Sequence, residues 1–140
     1  MKHDALRRFE ATSATLAKYR GKPFDWSKGY TCLHMARTHL VKLGYRPEAL
    51  PRIKSAIAAR RALNERGWQT TADMIDAQGF QRIAPAMMVQ GDIAYRSSED
   101  GFVGLLICAG PLKMIGWFEN APDFVIMDMQ FDQLEAAWRV

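Results

Sequence analysis

Apolar residues recur at helical spacing along the first half of the chain, and after Gly79 they gather into short runs divided by turn residues. Over residues 4–19, Leu6, Phe9, Leu16 and Tyr19 fall on roughly one face, which predicts an amphipathic helix with those side chains inward. Arg20-Gly21-Lys22-Pro23 stops it, and Phe24-Asp25-Trp26-Ser27-Lys28-Gly29 reads as a loop with two aromatic anchors. A second helix is expected from about Thr31 to Leu43, closed by Gly44. Pro47 and Pro51 bracket a short connection. Leu50, Ile53 and Ile57 mark the buried face of a third helix that ends near Gly67. Thr71 to Ala77 reads as a short fourth helix, capped by a threonine and closed by Gly79.

Beyond Gly79 the period changes. Ile93 to Tyr95, Phe102 to Cys108, Leu112 to Phe118 and Phe124 to Met127 are predicted strands. Ser97-Ser98-Glu99-Asp100-Gly101 and Ala109-Gly110-Pro111 supply turns between them. The tail from Phe131 suggests a short helical turn ending in Trp138-Arg139-Val140. Helices first and antiparallel strands afterwards predict an α+β class. Neither repeats nor a linker interrupt the pattern, so one domain over 1–140 is expected, helical over about 1–79 and β over about 80–140.

Composition adds limits. A chain of 140 residues that is 49% hydrophobic can bury a core without staples. No apolar run approaches the ~20 residues needed to span a bilayer, and Met1 to Glu10 is charged throughout, unlike a secretory signal. Cys32 and Cys108 have neither metal-ligand spacing nor a disulfide framework, which reads as a soluble protein made in a reducing cytoplasm. The net charge of +4 is unevenly divided. Residues 1–66 carry 15 Lys and Arg against 5 Asp and Glu, and residues 67–140 carry 4 against 10. That division suits contact with an anionic polymer or stacking of unlike faces between subunits. The basic groove with interleaved aromatics that marks a nucleic-acid module is not legible, so no nucleic-acid partner is expected.

Chemistry is concentrated at one place. Cys32 falls where the second helix begins, and a helix N-terminus favours the thiolate that nucleophilic catalysis needs. The competing reading is a small buried apolar side chain facing a sheet. Cys108, within an apolar strand, reads as core. His34 is two residues from Cys32 and turned about 200° around the helix; His39 returns to the same face but lies roughly 10 Å along the axis. Both therefore read as surface or packing residues, and His3 sits at the start of the chain. No metal-ligand spacing, glycine-rich phosphate loop or Gly-x-Ser-x-Gly elbow appears, so neither metal nor cofactor is expected. Asp92 and Asp128 are carboxylates that nothing in the sequence brings together, and Met87-Met88 and Met127-x-Met129 read as filler.

Four segments carry a resemblance. Phe24-Asp25-Trp26 followed by Tyr30-Thr31-Cys32 resembles the aromatic loop and nucleophile helix of the NlpC-type branch of papain-like cysteine peptidases, many of which cut peptidoglycan peptides. Gln90-Gly91-Asp92-Ile93 is similar to that family's glycine-aspartate strand start. Gly101-Phe102-Val103-Gly104-Leu105 resembles its histidine-bearing strand. Ala137-Trp138-Arg139-Val140 is similar to the ending of a divergent, phage-associated set encoded near tail genes.

The resemblance implies a papain-like fold with the cysteine helix packed on an antiparallel sheet and Cys32 in the nucleophile's place. It also implies a histidine and a second polar residue on the strands, yet Phe102 and Gly116 occupy those positions, and Thr31 replaces the aspartate before the cysteine. The expectation is therefore a degenerate peptidase fold that acts as a non-catalytic structural or assembly component of a phage tail tip or baseplate. Its expected partners are other tail proteins such as a hub or distal tail protein, with self-association and peptidoglycan contact as further options. Its expected place is the virion, after assembly in the host cytoplasm. The alternative is an active peptidoglycan-cleaving cysteine peptidase.

Overall fold

The computed structural model describes residues 3–97, 104–118 and 121–140. Four helices come first: α1 (Asp4–Tyr19), α2 (Cys32–Lys42), α3 (Ala56–Glu65) and α4 (Thr71–Ala77). Local chemistry sets their starts. Thr31 Oγ1 accepts from the His34 amide at 3.3 Å and Ser55 Oγ from Ala58 at 3.1 Å, each satisfying an amide the helix leaves orphaned. Thr70 and Asp73 cap each other reciprocally at the start of α4. Gly44, with φ +103°, takes the chain out of α2.

Two helical faces differ from the sequence pattern. In α1 the buried residues are Arg8, Ala11, Thr12, Thr15 and Tyr19, whereas Leu6 and Phe9 are 47% and 54% exposed. The helix is rotated because its polar side chains have partners inside. Thr12 and Thr15 hydroxyls donate to the Arg8 and Ala11 carbonyls at 2.7 and 2.9 Å, and Arg8 has a buried carboxylate to meet. In the third segment, Leu50 and Ile53 precede the helix, and Ile57 is 74% exposed. Ala59 and Leu63 face inward instead.

Six strands follow: β1 (Gln81–Ile83), β2 (Ile93–Tyr95), β3 (Leu105–Gly110), β4 (Lys113–Phe118), β5 (Ala121–Asp128) and β6 (Ala136–Arg139). They form one antiparallel sheet in the order β1-β6-β2-β3-β4-β5. The expected helical turn in the tail is in fact a short 3-10 turn, Phe131–Gln133, followed by β6, which inserts between β1 and β2 with Trp138 opposite Arg82 and Ile93. Trp138 is wholly buried, and a two-sided apolar position of that kind suits a central strand rather than a helix end. The expected turn at Ser97 to Gly101 lies mostly outside the described residues, as do the expected strand positions Phe102 and Val103.

Alternate strand residues divide between two apolar layers. Ile93, Tyr95, Leu105, Ile107, Ile115, Trp117 and Trp138 join the helices in the main core. Ala94, Leu106, Cys108, Met114 and Phe118 form a second cluster on the other face, with Met129 and Leu134. This is the α+β arrangement expected, with α1 packed on α2 and α2 packed on β3.

Candidate functional site

Cys32 is the first residue of α2, behind the Thr31 cap, and it is not disulfide-bonded. The helix N-terminus presents partial positive charge there, as a nucleophile's position requires. Yet the residue is only 2% exposed and belongs to the main core. From the sheet side Tyr95 belongs to the same core. Burial, with the Glu135 carboxylate second, raises the Tyr95 phenol above its ordinary value, although a hydrogen bond from Thr70 opposes this. Tyr95 is therefore a neutral hydroxyl at physiological pH, unable to take a proton from a thiol. The ring also closes on the backbone: a Cβ at Gly104 would lie 2.5 Å from Tyr95 Cε2.

The imidazoles have other work. His39, on the same helix as Cys32, is wholly buried, with Nε2 2.8 Å from the Gly91 carbonyl and Nδ1 3.1 Å from Thr15 Oγ1. The carbonyl can only accept, so Nε2 carries the proton in the neutral ring, and Nδ1 shares the one Thr15 hydroxyl proton with the Ala11 carbonyl. Burial pushes the pKa of His39 down to about 4; the nearby Arg8 charge lowers it further, against the Gly91 hydrogen bond and the Asp92 charge. His34 turns the other way: its Nδ1 is 2.7 Å from Thr31 Oγ1 and its ring lies over Gly29. Burial lowers its pKa first, then Lys54 and Lys18. His3 caps α1, accepting from the Ala5 amide at 3.2 Å.

Of the two positions where catalytic partners were expected, Phe102 lies outside the described residues. Gly116 is in β4, with φ +157°, and a Cβ there would come 2.6 Å from Leu106 Cδ2. Leu106 belongs to the second cluster, on the face away from the helices. Its neighbours Ile115 and Trp117 are the residues of β4 that share the main core with Cys32.

The remaining sequence candidates have structural partners. Asp92 is wholly buried and accepts from Arg8 Nη1 and Arg139 Nε, both at 2.9 Å, and from the Val89 and Val140 amides. Asp128, on β5, pairs with Lys113 at the surface, so the two carboxylates do not form a site. Cys108 donates to the Gly110 carbonyl at 3.3 Å, and burial pushes its thiol up. Met87 is exposed and Met129 buried. Among the described residues, no group of three or more His, Cys, Asp or Glu could hold a metal ion, and no helix is long and apolar enough to cross a membrane.

Residues 5–140 match the family model described as Domain of unknown function (DUF6950). The chain belongs to this DUF6950 family. Its fold is that of the crystal structure of the NlpC/p60 domain of the peptidoglycan hydrolase SagA, with a TM-score of 0.62 and 17% sequence identity, covering 99% of this chain and 100% of that one. At that identity the likeness establishes the papain-like, NlpC-type fold and nothing of the reaction. No curated protein matches the DUF6950 chain.

Sequence reasoning missed two features of the DUF6950 structure. One is Tyr95, a titratable group in the core that holds Cys32; it read only as a strand residue. The other is Arg8, which sat among helix-surface cations. Its signal was the stripe Arg8-Ala11-Thr12-Thr15, whose small polar side chains suit close packing when their hydroxyls bond backward to the helix.

Proposed function

We propose that this chain is a non-catalytic structural or assembly component of a bacteriophage or phage-like tail tip or baseplate, built on an NlpC-type peptidase scaffold. The observation that carries the loss of catalysis is His39, the imidazole on Cys32's own helix, which spends both ring nitrogens on Thr15 and Gly91. Gly116 adds to it, since a side chain there would start against Leu106, on the face away from the helices. The viral setting is supported by the resemblance of the Ala137-Trp138-Arg139-Val140 ending to phage-associated domains. The uneven charge supports stacking against unlike faces, as the basic residues lie in the helical half and the acidic ones in the sheet half. Partners on this reading are tail proteins such as a hub or distal tail protein.

The second reading, an active peptidoglycan-cleaving cysteine peptidase, is favoured by one observation: Cys32 opens α2. Complementation separates the two. In a phage lacking the gene, Cys32→Ala restores infective particles to the wild-type titre if the role is assembly. Release of soluble peptides from purified peptidoglycan by the wild-type chain, lost in Cys32→Ala, overturns the proposal.

A further inference from the structure

The helical half carries a cleft whose lining does not include Cys32. It has a volume of about 530 Å³, within the range of roughly 300–1,000 Å³ usual for small-molecule sites. Five cations line it from four segments: Lys18 at the end of α1, Lys28 in the aromatic loop, Arg37 on α2, and Arg52 and Lys54 before α3. No Asp or Glu is among its lining residues.

Elsewhere some exposed cations meet carboxylates, as in Arg7 with Asp4, Arg82 with Asp76 and Lys113 with Asp128. In the cleft the cations donate to neutral oxygens. Lys54 Nζ reaches the Ser27 carbonyl at 2.8 Å, Arg37 Nε the Glu48 carbonyl at 3.4 Å, and Lys18 Nζ the Thr38 hydroxyl at 3.3 Å. Asp25 beside the rim is held by Ser27 and feels the Lys28 charge only weakly. The crowding registers on His34, which lines the same cleft between Lys54 and Lys18. Converging positive charge without a counter-ion is unfavourable in isolation, and a multiply charged anion relieves it.

The rest of the lining narrows the ligand. Trp26 and Tyr30 are half-buried and contribute ring surface, each braced edge-on by a neighbour, Phe24 at 5.3 Å and Tyr19 at 6.3 Å. Cations beside aromatic faces suit phosphate groups joined to a ring that stacks. Phosphate also concentrates more negative charge in less volume than a carboxylate does. We propose that this cleft binds a phosphorylated small molecule of about nucleotide size, its phosphates among the lysines and arginines and its ring against Trp26 and Tyr30. The inference does not depend on the state of Cys32 or on the assembly role.

Calorimetric titration of the full chain at low salt tests it, using ATP, inorganic pyrophosphate, an oligothymidylate and hexaglutamate as probes. ATP is expected to saturate one site per chain, more tightly than pyrophosphate, and added salt should weaken both. Lys54→Ala and Arg37→Ala each lower the affinity for both on the order of tenfold. Trp26→Ala weakens ATP and leaves pyrophosphate unchanged; Cys32→Ala changes neither. The proposal is overturned if neither ATP nor pyrophosphate saturates, or if both cation variants bind as the wild type does. Tighter binding of oligothymidylate or hexaglutamate than of ATP overturns it as well, assigning the cleft to a nucleic-acid strand or an acidic peptide.

Discussion

Arg8 and Asp92 stand 84 positions apart in sequence and meet at 2.9 Å in the interior, where the Asp92 carboxylate is wholly buried. Arg8 also donates to the Gln90 carbonyl at 3.2 Å and to a Val140 main-chain oxygen. Arg139 Nε completes the carboxylate from β6. One carboxylate thus ties the first helix, the entry to β2 and the last strand together.

Removing it leaves the buried Arg8 guanidinium with Asp4 as its remaining carboxylate, at 3.0 Å. Asp92→Ala is expected to cost about 3 kcal/mol of stability, because Arg8 and Arg139 lose their shared buried partner. Asp128→Ala, which breaks the exposed pair with Lys113, should cost at most about 1 kcal/mol. Urea unfolding of the two variants measures the difference.

His39 gives stability a pH dependence of definite sign. The unfolded imidazole protonates near its ordinary 6.5, and the buried one only at about 4. Between those values the unfolded chain binds more protons, so stability is fully present above about 6.5 and falls as pH drops toward about 4. The integrated loss is on the order of 3 kcal/mol. His39→Gln should remove that part of the slope, seen by comparing unfolding midpoints of wild type and variant at pH 7 and pH 5. Parallel slopes would contradict the assignment.

Gly116 is constrained by its neighbour as well as by its backbone. Gly116→Ala drives a methyl against Leu106 and holds an L residue at φ +157°, at an expected cost of about 1–3 kcal/mol. A histidine placed there would not restore a catalytic partner, since its side chain starts on the face opposite Cys32's core. Thermal unfolding of Gly116→Ala and a peptidoglycan assay of Gly116→His check the two statements.

On α1 the outward apolar residues are dispensable for folding. Phe9→Ser should change stability by less than about 0.5 kcal/mol. Tyr19→Ala, which removes a ring packed against Trp117 and Phe124 at 5.6 and 5.7 Å, should cost about 3–5 kcal/mol. Chemical denaturation of both variants is the check, and similar losses would mean that α1 is rotated from the arrangement described.

Much of the fold was legible because local rules and tertiary structure agree. The threonine before α4 and Gly44 marked helix ends by their capping chemistry, and the apolar runs after Gly79 became β2 to β5. The failures share one cause: packing choices that depend on distant partners. Leu6 and Phe9 lost the inner face of α1 to Arg8 and two threonines, whose partners lie on their own helix or at Asp92. The tail became a strand because β1 and β2 left a gap that Ala136–Arg139 fills, and no local pattern announces a gap. At the candidate site, Cys32 was legible from its place before a helix. Tyr95 was not, since only strand pairing brings it into the core that holds Cys32. The basic cleft was hidden too, its five cations being scattered from residue 18 to residue 54.

The central claim is that the cysteine of this NlpC-type fold is part of the core and not an activated nucleophile. Its most direct test is the rate at which iodoacetamide alkylates Cys32 at pH 7, measured on the native chain in a Cys108→Ser background and compared with glutathione. The expected result is a rate well below that of glutathione, rising to match it only when the protein is unfolded. A native rate above that of glutathione, abolished by unfolding, would contradict the account and restore Cys32 as a working nucleophile.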